Sequence, residues 1–149
     1  AERYLADSAA AMQAREGRLL DEAEFMAMAA QPGSLILDAR SNWAFERLHI
    51  AGALNLAYTD FNAETLTTLI PSLETRILIY CNNNFLGAPG AFPTKLPATS
   101  LNLATLSALH SYGYRNVYQL GPVVDVAHTI LPLSGADAAM LSVARTGSR

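Results

Sequence analysis

The segment Arg76-Ile77-Leu78-Ile79-Tyr80-Cys81-Asn82-Asn83-Asn84 joins a short apolar run to a cysteine and three asparagines. An apolar run of this length that ends in turn residues predicts a buried β-strand. Parallel sheets present functional side chains at the carboxyl ends of their strands, and a thiol in that position is suited to nucleophilic chemistry. Free cysteine is also among the most buried residue types. A core role for Cys81, the only cysteine of the chain, is therefore the alternative.

The composition is that of one globular domain. The chain has 149 residues, of which 51% are hydrophobic and 15% are charged, enough to bury a core. The formal charge of -3 offers no basic surface for nucleic acid or an anionic membrane. No apolar stretch reaches the ~18 residues of a membrane span. One cysteine and three scattered histidines provide no metal-ligand spacing, so neither a metal nor another cofactor is expected, and nothing in the sequence specifies an oligomeric state.

Apolar runs and helical segments alternate along the chain. The predicted strands are Arg18–Leu20, Leu35–Leu37, Ala53–Leu56, Arg76–Tyr80 and Asn116–Leu120. Helices are predicted over residues 21–30, after the capping pair Ser41-Asn42, over 62–70 and over 100–112. The alternation predicts an α/β fold, with about five parallel strands and helices on both faces of the sheet. We expect a single domain over 17–131, a helical extension over 1–16 and a C-terminal tail over 132–149.

Three ordered motifs resemble a known family. They are Leu35–Arg40 with Phe45-Glu46 and His49–Leu56, then the strand end Tyr80-Cys81, then Gly113–Leu120. Together they resemble a rhodanese domain over roughly residues 17–126. The resemblance implies a five-stranded parallel sheet and sulfur transfer: the Cys81 thiolate takes a sulfane sulfur from a small donor. It then passes the persulfide sulfur to a thiol, to a cyanide-like acceptor or to a protein.

The sequence after Cys81 is similar to a variant branch of rhodanese-like proteins that has a Cys-Asn-Asn-Asn-Phe loop and a long insertion. The resemblance implies that Asn82, Asn83, Asn84 and Phe85 cradle the sulfur or its substrate. Lys95 is the only cation of the loop and could steady an anion, or simply solvate the loop. Members of this branch often carry signal peptides, and Ala1 is followed by a polar residue, so export to the periplasm is favoured over the cytoplasm.

The loop has competing structural interpretations. Residues 82–99 contain three prolines and two glycines and are predicted to be irregular, as long functional loops are. The asparagines could form an anion-binding nest, because asparagine tolerates the left-handed conformation, or they could be ordinary solvated turn residues. Phe85 and Phe92 could form an apolar lid, or they could anchor the loop to the core.

Several other side chains have a structural alternative. Asp38 and Arg40 are expected near the active edge in a supporting role, and pairing of Arg40 with Asp38 or Glu46 is favoured over direct contact with substrate. His49 is expected to bond backbone rather than act as a base. Trp43 and Phe45 are interpreted as core or staple residues.

The sequence bears on two other functions. A cysteine phosphatase needs an arginine six residues after its cysteine to clamp phosphate, and that position is Gly87. The phosphatase hypothesis, and arsenate reduction with it, is therefore disfavoured. A non-catalytic or weakly active binding or regulatory module that uses the same loop remains the alternative function.

Overall fold

Short strands and helices alternate along residues 17–93 and 101–141, which the computed structural model describes. The strands are β1 (Leu19–Leu20), β2 (Ser34–Asp38), β3 (His49–Ile50), β4 (Leu54–Asn55), β5 (Arg76–Tyr80), β6 (Phe85–Leu86), β7 (Val117–Leu120), β8 (Val124–Asp125) and β9 (Leu133–Ser134). The α-helices are α1 (Glu22–Ala29), α2 (Asn42–Arg47), α3 (Ala63–Leu69) and α4 (Leu101–Ser111). The expected extension over 1–16, the expected cap Ser100 and the end of the tail lie outside the described residues.

The central sheet has five parallel strands in the order β1-β7-β5-β2-β4. Strand β5 lies in its middle, paired with β2 on one side and with β7 on the other. The prediction of an α/β fold with a five-stranded parallel sheet is confirmed. Helix α1 begins after Asp21, whose side chain accepts from the Glu24 backbone N–H at 2.8 Å, as the capping pattern predicts.

Successive residues of the strands pack into two different cores, because side chains alternate across a sheet. The core under α3 and α4 contains Leu37, Ile77, Ile79, Leu66 and Leu109 among others. The core on the opposite face lies under α1 and contains Ile36, Leu78, Tyr80, Phe25 and Phe85 among others. Helices therefore cover both faces, so the strands are buried on each side and carry the near-continuous apolar runs seen in the sequence.

The connections that leave β2 and β5 pass to opposite faces of the sheet. Phe45 of α2, which follows β2, packs against one core, whereas Leu106 of α4, which follows β5, belongs to the other. Neighbouring parallel strands whose connections diverge leave a crevice at their carboxyl ends, and ligands bind there in open α/β sheets. The topology thus puts a ligand site between the ends of β2 and β5.

The stretch after Cys81 is more regular than the sequence predicts. Residues Asn82–Asn84 form one turn of 3₁₀ helix, and β6 then pairs in parallel with β8. A further turn is closed by the Phe92 N–H, which donates to the Ala88 carbonyl at 2.8 Å. The prediction of an irregular loop from residue 82 is therefore wrong for residues 82–86, because β8 supplies a pairing partner that lies far away in sequence. Residues 87–93 form turns and bends, as predicted.

Residues 132–141, which the sequence assigns to the tail, pack onto the domain. Strand β9 pairs in antiparallel fashion with β3, and the Asp137 N–H donates to the Arg47 carbonyl at 2.8 Å. Gly135 has φ +120°, and a Cβ added there would lie 2.6 Å from the Arg47 carbonyl oxygen. Only glycine fits this approach of the chain to the end of α2.

We predict that Gly135→Ala destabilises the domain more than Gly33→Ala does. Gly33 also has positive φ, +84°, but a Cβ there meets nothing within 4 Å, so alanine should cost only the left-handed strain of about 1–2 kcal/mol. Gly135→Ala adds a backbone collision to the same strain. Urea unfolding of both variants measures the difference, and equal losses would contradict the tight contact between the C-terminal segment and α2.

Candidate active site

Cys81 follows directly on the central strand β5, at the crevice between β2 and β5. Its backbone N–H donates to Asn84 Oδ1 at 3.0 Å, and its carbonyl accepts from the Asn84 N–H at 3.1 Å. The residue is only 2% exposed. The structure therefore places Cys81 at the end of the strand where the sequence predicts it, but with its side chain buried.

Asn84 clamps three parts of the chain together. Its Nδ2 donates to the Leu120 carbonyl at 2.9 Å and to the Pro122 carbonyl at 3.0 Å. Its Oδ1 also accepts from Asn102 Nδ2 at 3.2 Å. These bonds join the end of β5 to the end of β7 and to the first turn of α4. The Asn84 amide thereby holds the fold together, and its contact with substrate stays a prediction.

The predicted left-handed nest is wrong. In the described residues every positive φ belongs to glycine, and Asn82–Asn84 form a right-handed 3₁₀ turn. The physical reason is the clamp: the amide of Asn84 reaches its partners from the right-handed turn, which also avoids the steric cost of the left-handed region. Asn83 lies partly exposed on this turn.

A buried ion pair lies beside the thiol at the end of β2. Arg40 Nη2 lies 2.7 Å from Asp38 Oδ2, and Arg40 Nε donates to Asp38 Oδ1 at 3.1 Å. The Asp38 and Arg40 side chains are only 0% and 1% exposed. Of the two partners that the sequence leaves open for Arg40, the structure has Asp38 and not Glu46.

Tyr80 connects this ion pair to the central strand. Its hydroxyl donates to Asp38 Oδ2 and accepts from the Ile50 N–H at 3.1 Å. Burial, and secondly the negative charge of Asp38, hold the pKa of Tyr80 well above its ordinary value, so the hydroxyl remains a proton donor. The sequence does not reveal this role, because a tyrosine within an apolar strand is typical of a core residue. The role could have been inferred only from the pairing of β2 with β5, which puts Tyr80 opposite Asp38.

Arg40 also fastens the loop that follows Cys81. Its Nη1 donates to the Ala91 carbonyl at 2.8 Å and its Nη2 to the Leu48 carbonyl at 2.6 Å. Its guanidinium lies 4.1 Å from the centroid of the Phe92 ring. Phe85 packs against Phe92 with ring centroids 4.5 Å apart, and each ring is 1% exposed. Both rings are therefore buried in the core, and a contact of Phe85 with substrate stays a prediction.

An open cleft of about 360 Å³ lies at the carboxyl ends of β2, β4 and β5. Its lining includes Arg40, Trp43, Tyr58, Asn82, Gly90 and Pro93. Trp43 is 61% exposed, which contradicts its interpretation as a core residue. Successive residues of a helix face different directions, and in α2 the buried position belongs to Ala44. The Oδ1 atom of Asn82 is buried without a hydrogen-bond partner in the described chain. An unmet buried acceptor of this kind costs a fold about 1–3 kcal/mol.

The remaining candidates are structural or undescribed. His49 Nδ1 lies 2.6 Å from the Phe45 carbonyl oxygen and its ring stacks on Phe45, in agreement with the expected backbone hydrogen bond. Lys95 lies outside the described residues, and its role stays a prediction.

Within residues 17–93 and 101–141 no group of three acidic, histidine or cysteine side chains could hold a metal ion. No helix of the same residues is long and apolar enough to cross a bilayer.

The family follows from the sequence profile together with this geometry. Residues 21–120 match the rhodanese-like domain profile, which covers well over half of the chain and includes β2, β5, β7 and Cys81. The chain belongs to the rhodanese-like domain family. A search of curated proteins finds no significant match.

Solved structures share the fold of this rhodanese-like domain. The rhodanese-like domain of the Alr3790 protein from Anabaena sp. matches with a TM-score of 0.54 and 15% identity, over 82% of each chain. The BH2092 protein from Bacillus halodurans matches with a TM-score of 0.53 and 20% identity, over 71% of this chain and 67% of that one. A thiosulfate sulfurtransferase from Pseudomonas aeruginosa matches with a TM-score of 0.50 and 22% identity, over 71% of this chain and 18% of that one. At these identities the likeness shows the fold alone.

We predict that Arg40→Lys destabilises this rhodanese-like domain by about 3 kcal/mol, because lysine keeps the charge but cannot serve Asp38 and two carbonyls at once. Arg47→Lys is the matched control. The Arg47 side chain is 39% exposed and its partner Asp137 is 31% exposed, so its ion pair should contribute no more than about 1 kcal/mol. Urea unfolding measures both changes, and similar losses for the two variants would contradict the role given to Arg40.

Proposed function

We propose that this rhodanese-like domain is a sulfurtransferase that carries sulfane sulfur as a persulfide on Cys81. The observation that carries the proposal is the position of Cys81, directly after the central strand and at the crevice between β2 and β5. Membership of the rhodanese-like family supports sulfur chemistry at that position. The Cys-Asn-Asn-Asn-Phe sequence and the insertion after it assign the chain, within this proposal, to the variant branch.

The proposed reaction has two displacements. The thiolate of Cys81 attacks the outer sulfur of a donor such as thiosulfate, because the thiolate is the nucleophilic form of cysteine. A new sulfur–sulfur bond forms while the bond to the sulfonate sulfur breaks, and sulfite leaves with the electron pair. A thiol or cyanide acceptor then attacks the terminal sulfur and releases the Cys81 thiolate. No cofactor takes part.

The burial of Cys81 requires a local opening in this proposal. Cys81 is 2% exposed, so a donor reaches its sulfur only after the chain around it moves. Arg40, Phe85 and Phe92 hold the segment that follows Cys81 against the core, and this segment is the part of the gate that we propose to open. A local opening of this kind costs less free energy than global unfolding. The gate therefore limits access to the thiol without requiring the sheet to unfold.

We predict that Cys81→Ser lowers sulfur transfer to the uncatalysed rate, because a serine hydroxyl cannot form a persulfide. The assay supplies thiosulfate or mercaptopyruvate with cyanide and measures thiocyanate release. Intact-mass spectrometry of the wild type, after incubation with donor alone, should show the mass of one added sulfur that the variant lacks. Equal rates for both proteins with each donor, with no added sulfur in the wild type, would rule out the proposed function.

A second function, that of a binding or regulatory module, is favoured by the burial of Cys81 and by the bonds that all three Arg40 guanidinium nitrogens make to protein acceptors. The two functions predict different alkylation of Cys81 by iodoacetamide. For a gated sulfurtransferase, alkylation occurs through local opening, changes little at low urea concentration and slows after incubation with thiosulfate. For a binding module with a core cysteine, alkylation follows global unfolding, rises with urea and is insensitive to thiosulfate.

A further inference from the structure

A backbone N–H of the asparagine turn is directed at the sulfur of Cys81. The Cys81 side chain accepts from the backbone N–H of Asn84, and the nitrogen of the same N–H lies 3.1 Å from the Cys81 carbonyl oxygen. A hydrogen bond to the charged form of a group favours that form, so a donor held at the sulfur favours the thiolate. The direction of the Asn84 N–H therefore affects how much of Cys81 is nucleophilic.

The side chain of Asn84 fixes the direction of that N–H. Its Oδ1 accepts from the Cys81 N–H at 3.0 Å, so each of the two residues donates its backbone N–H to the side chain of the other. The turn Asn82–Asn84 has only three residues, and so short a turn is not stable by its own backbone bonds. The side-chain bonds of Asn84 therefore decide where its N–H points.

The amide of Asn84 uses its whole hydrogen-bonding capacity in the fold. Its Nδ2 donates to the Leu120 carbonyl at 2.9 Å and to the Pro122 carbonyl at 3.0 Å. Its Oδ1 accepts a second bond, from Asn102 Nδ2 at 3.2 Å. A side-chain amide has two donors and two acceptor sites, and all four are occupied. An aspartate of the same shape would lack both donors, and an alanine would reach none of the partners.

The partners of the Asn84 amide lie outside the segment that we propose to open. Leu120 ends β7, which pairs with β5, and Asn102 lies in the first turn of α4 and is 2% exposed. Asn84 itself is 5% exposed. Movement of residues 85–93 can therefore leave the Asn84 clamp intact, and the N–H stays on the sulfur while a donor enters.

We propose that Asn84 is a positioning residue: its anchored side chain holds its own backbone N–H on the sulfur of Cys81 and thereby stabilises the thiolate. The catalytic consequence rests on the proposed function, whereas the effect on the thiolate rests on the geometry alone. In the first displacement the thiolate gives an electron pair to the outer sulfur of the donor, and sulfite leaves. In the second, the acceptor attacks the terminal sulfur, and the Cys81 thiolate leaves with the electron pair of the broken sulfur–sulfur bond. The N–H raises the thiolate fraction for the first step and stabilises the leaving thiolate in the second.

The first measurement needs no sulfur transfer. Cys81 is the only cysteine of the chain, so the ultraviolet absorbance of the thiolate is the difference between each protein and its own Cys81→Ser counterpart. The spectra are taken at about pH 8.5, where an ordinary thiol is half ionised. We expect about fivefold less thiolate in Asn84→Ala than in the wild type, because loss of one hydrogen bond to a charged acceptor shifts an ionisation by about one pH unit.

Asn62→Ala is the matched control. Asn62 and Thr65 exchange the same pair of side-chain and backbone hydrogen bonds in the cap of α3, so the variant loses a comparable clamp and should leave the thiolate absorbance unchanged. Asn102→Ala removes one anchor of the Asn84 amide and should lower the thiolate absorbance less than Asn84→Ala does. It keeps the test decisive if Asn84→Ala does not fold, which thermal unfolding checks. Wild-type absorbance in every folded variant would overturn the proposal.

Steady-state sulfur transfer separates positioning from contact with the donor. Asn84→Ala should lower kcat about tenfold and leave KM for thiosulfate unchanged, because the Asn84 amide has no capacity left for the donor. A higher KM with unchanged kcat would instead place Asn84 in contact with the donor and overturn the proposal. Asn62→Ala should change neither constant.

Failure of this inference can be told apart from failure of the sulfurtransferase proposal. Less thiolate in Asn84→Ala, without sulfur transfer by the wild type, would support the positioning role and contradict the transferase. Sulfur transfer by the wild type, with equal thiolate absorbance in the wild type and in the folded variants of Asn84 and Asn102, would contradict the positioning role alone.

Discussion

The site depends on one buried carboxylate. Asp38 receives hydrogen bonds from Arg40, at the end of its own strand, and from Tyr80, at the end of the neighbouring strand. A buried charge that loses a partner costs several kcal/mol, so neither donor can move away alone. The ends of β2 and β5 are therefore held at a fixed distance. Cys81 follows Tyr80 directly, and so the same constraint sets its position.

The elements that could be predicted from the sequence are those whose pattern is local. Apolar runs bounded by turn residues identified β2, β5 and β7, and the capping pattern at Asp21 identified the start of α1. The two-residue strands β6 and β9 carry no such pattern, because each is defined only by a distant partner. Prolines and glycines in the loop predicted turns correctly, and of the two roles that the sequence left open for Phe85 and Phe92 the structure has the core anchor.

The site likewise has features that follow from a local sequence pattern and features that depend on residues distant in the chain. The positions of Cys81, Asp38 and Arg40 at the carboxyl edge of the sheet follow from chain order, because they lie at or just after strand ends, whereas the choice of Asp38 over Glu46 as the partner of Arg40 needed the structure. The conformation of the asparagine turn does not, because it depends on the carbonyls of Leu120 and Pro122, which only the folded sheet brings to Asn84. The exposure of Trp43 and the unmet acceptor of Asn82 likewise depend on how α2 and the loop meet, which a single sequence does not encode in any short pattern.

The strand order also bears on how the chain folds as it is synthesised. Strand β1 pairs only with β7, and Leu19 lies opposite Gln119, so the first strand of the sheet has no partner until nearly the whole domain has left the ribosome. Strand β3 likewise cannot pair until β9, near the end of the described chain, has been synthesised. Parallel pairings between distant segments form slowly and leave apolar edges open meanwhile. Newly made chains of this domain should therefore depend on chaperones more than a helical bundle of equal length does.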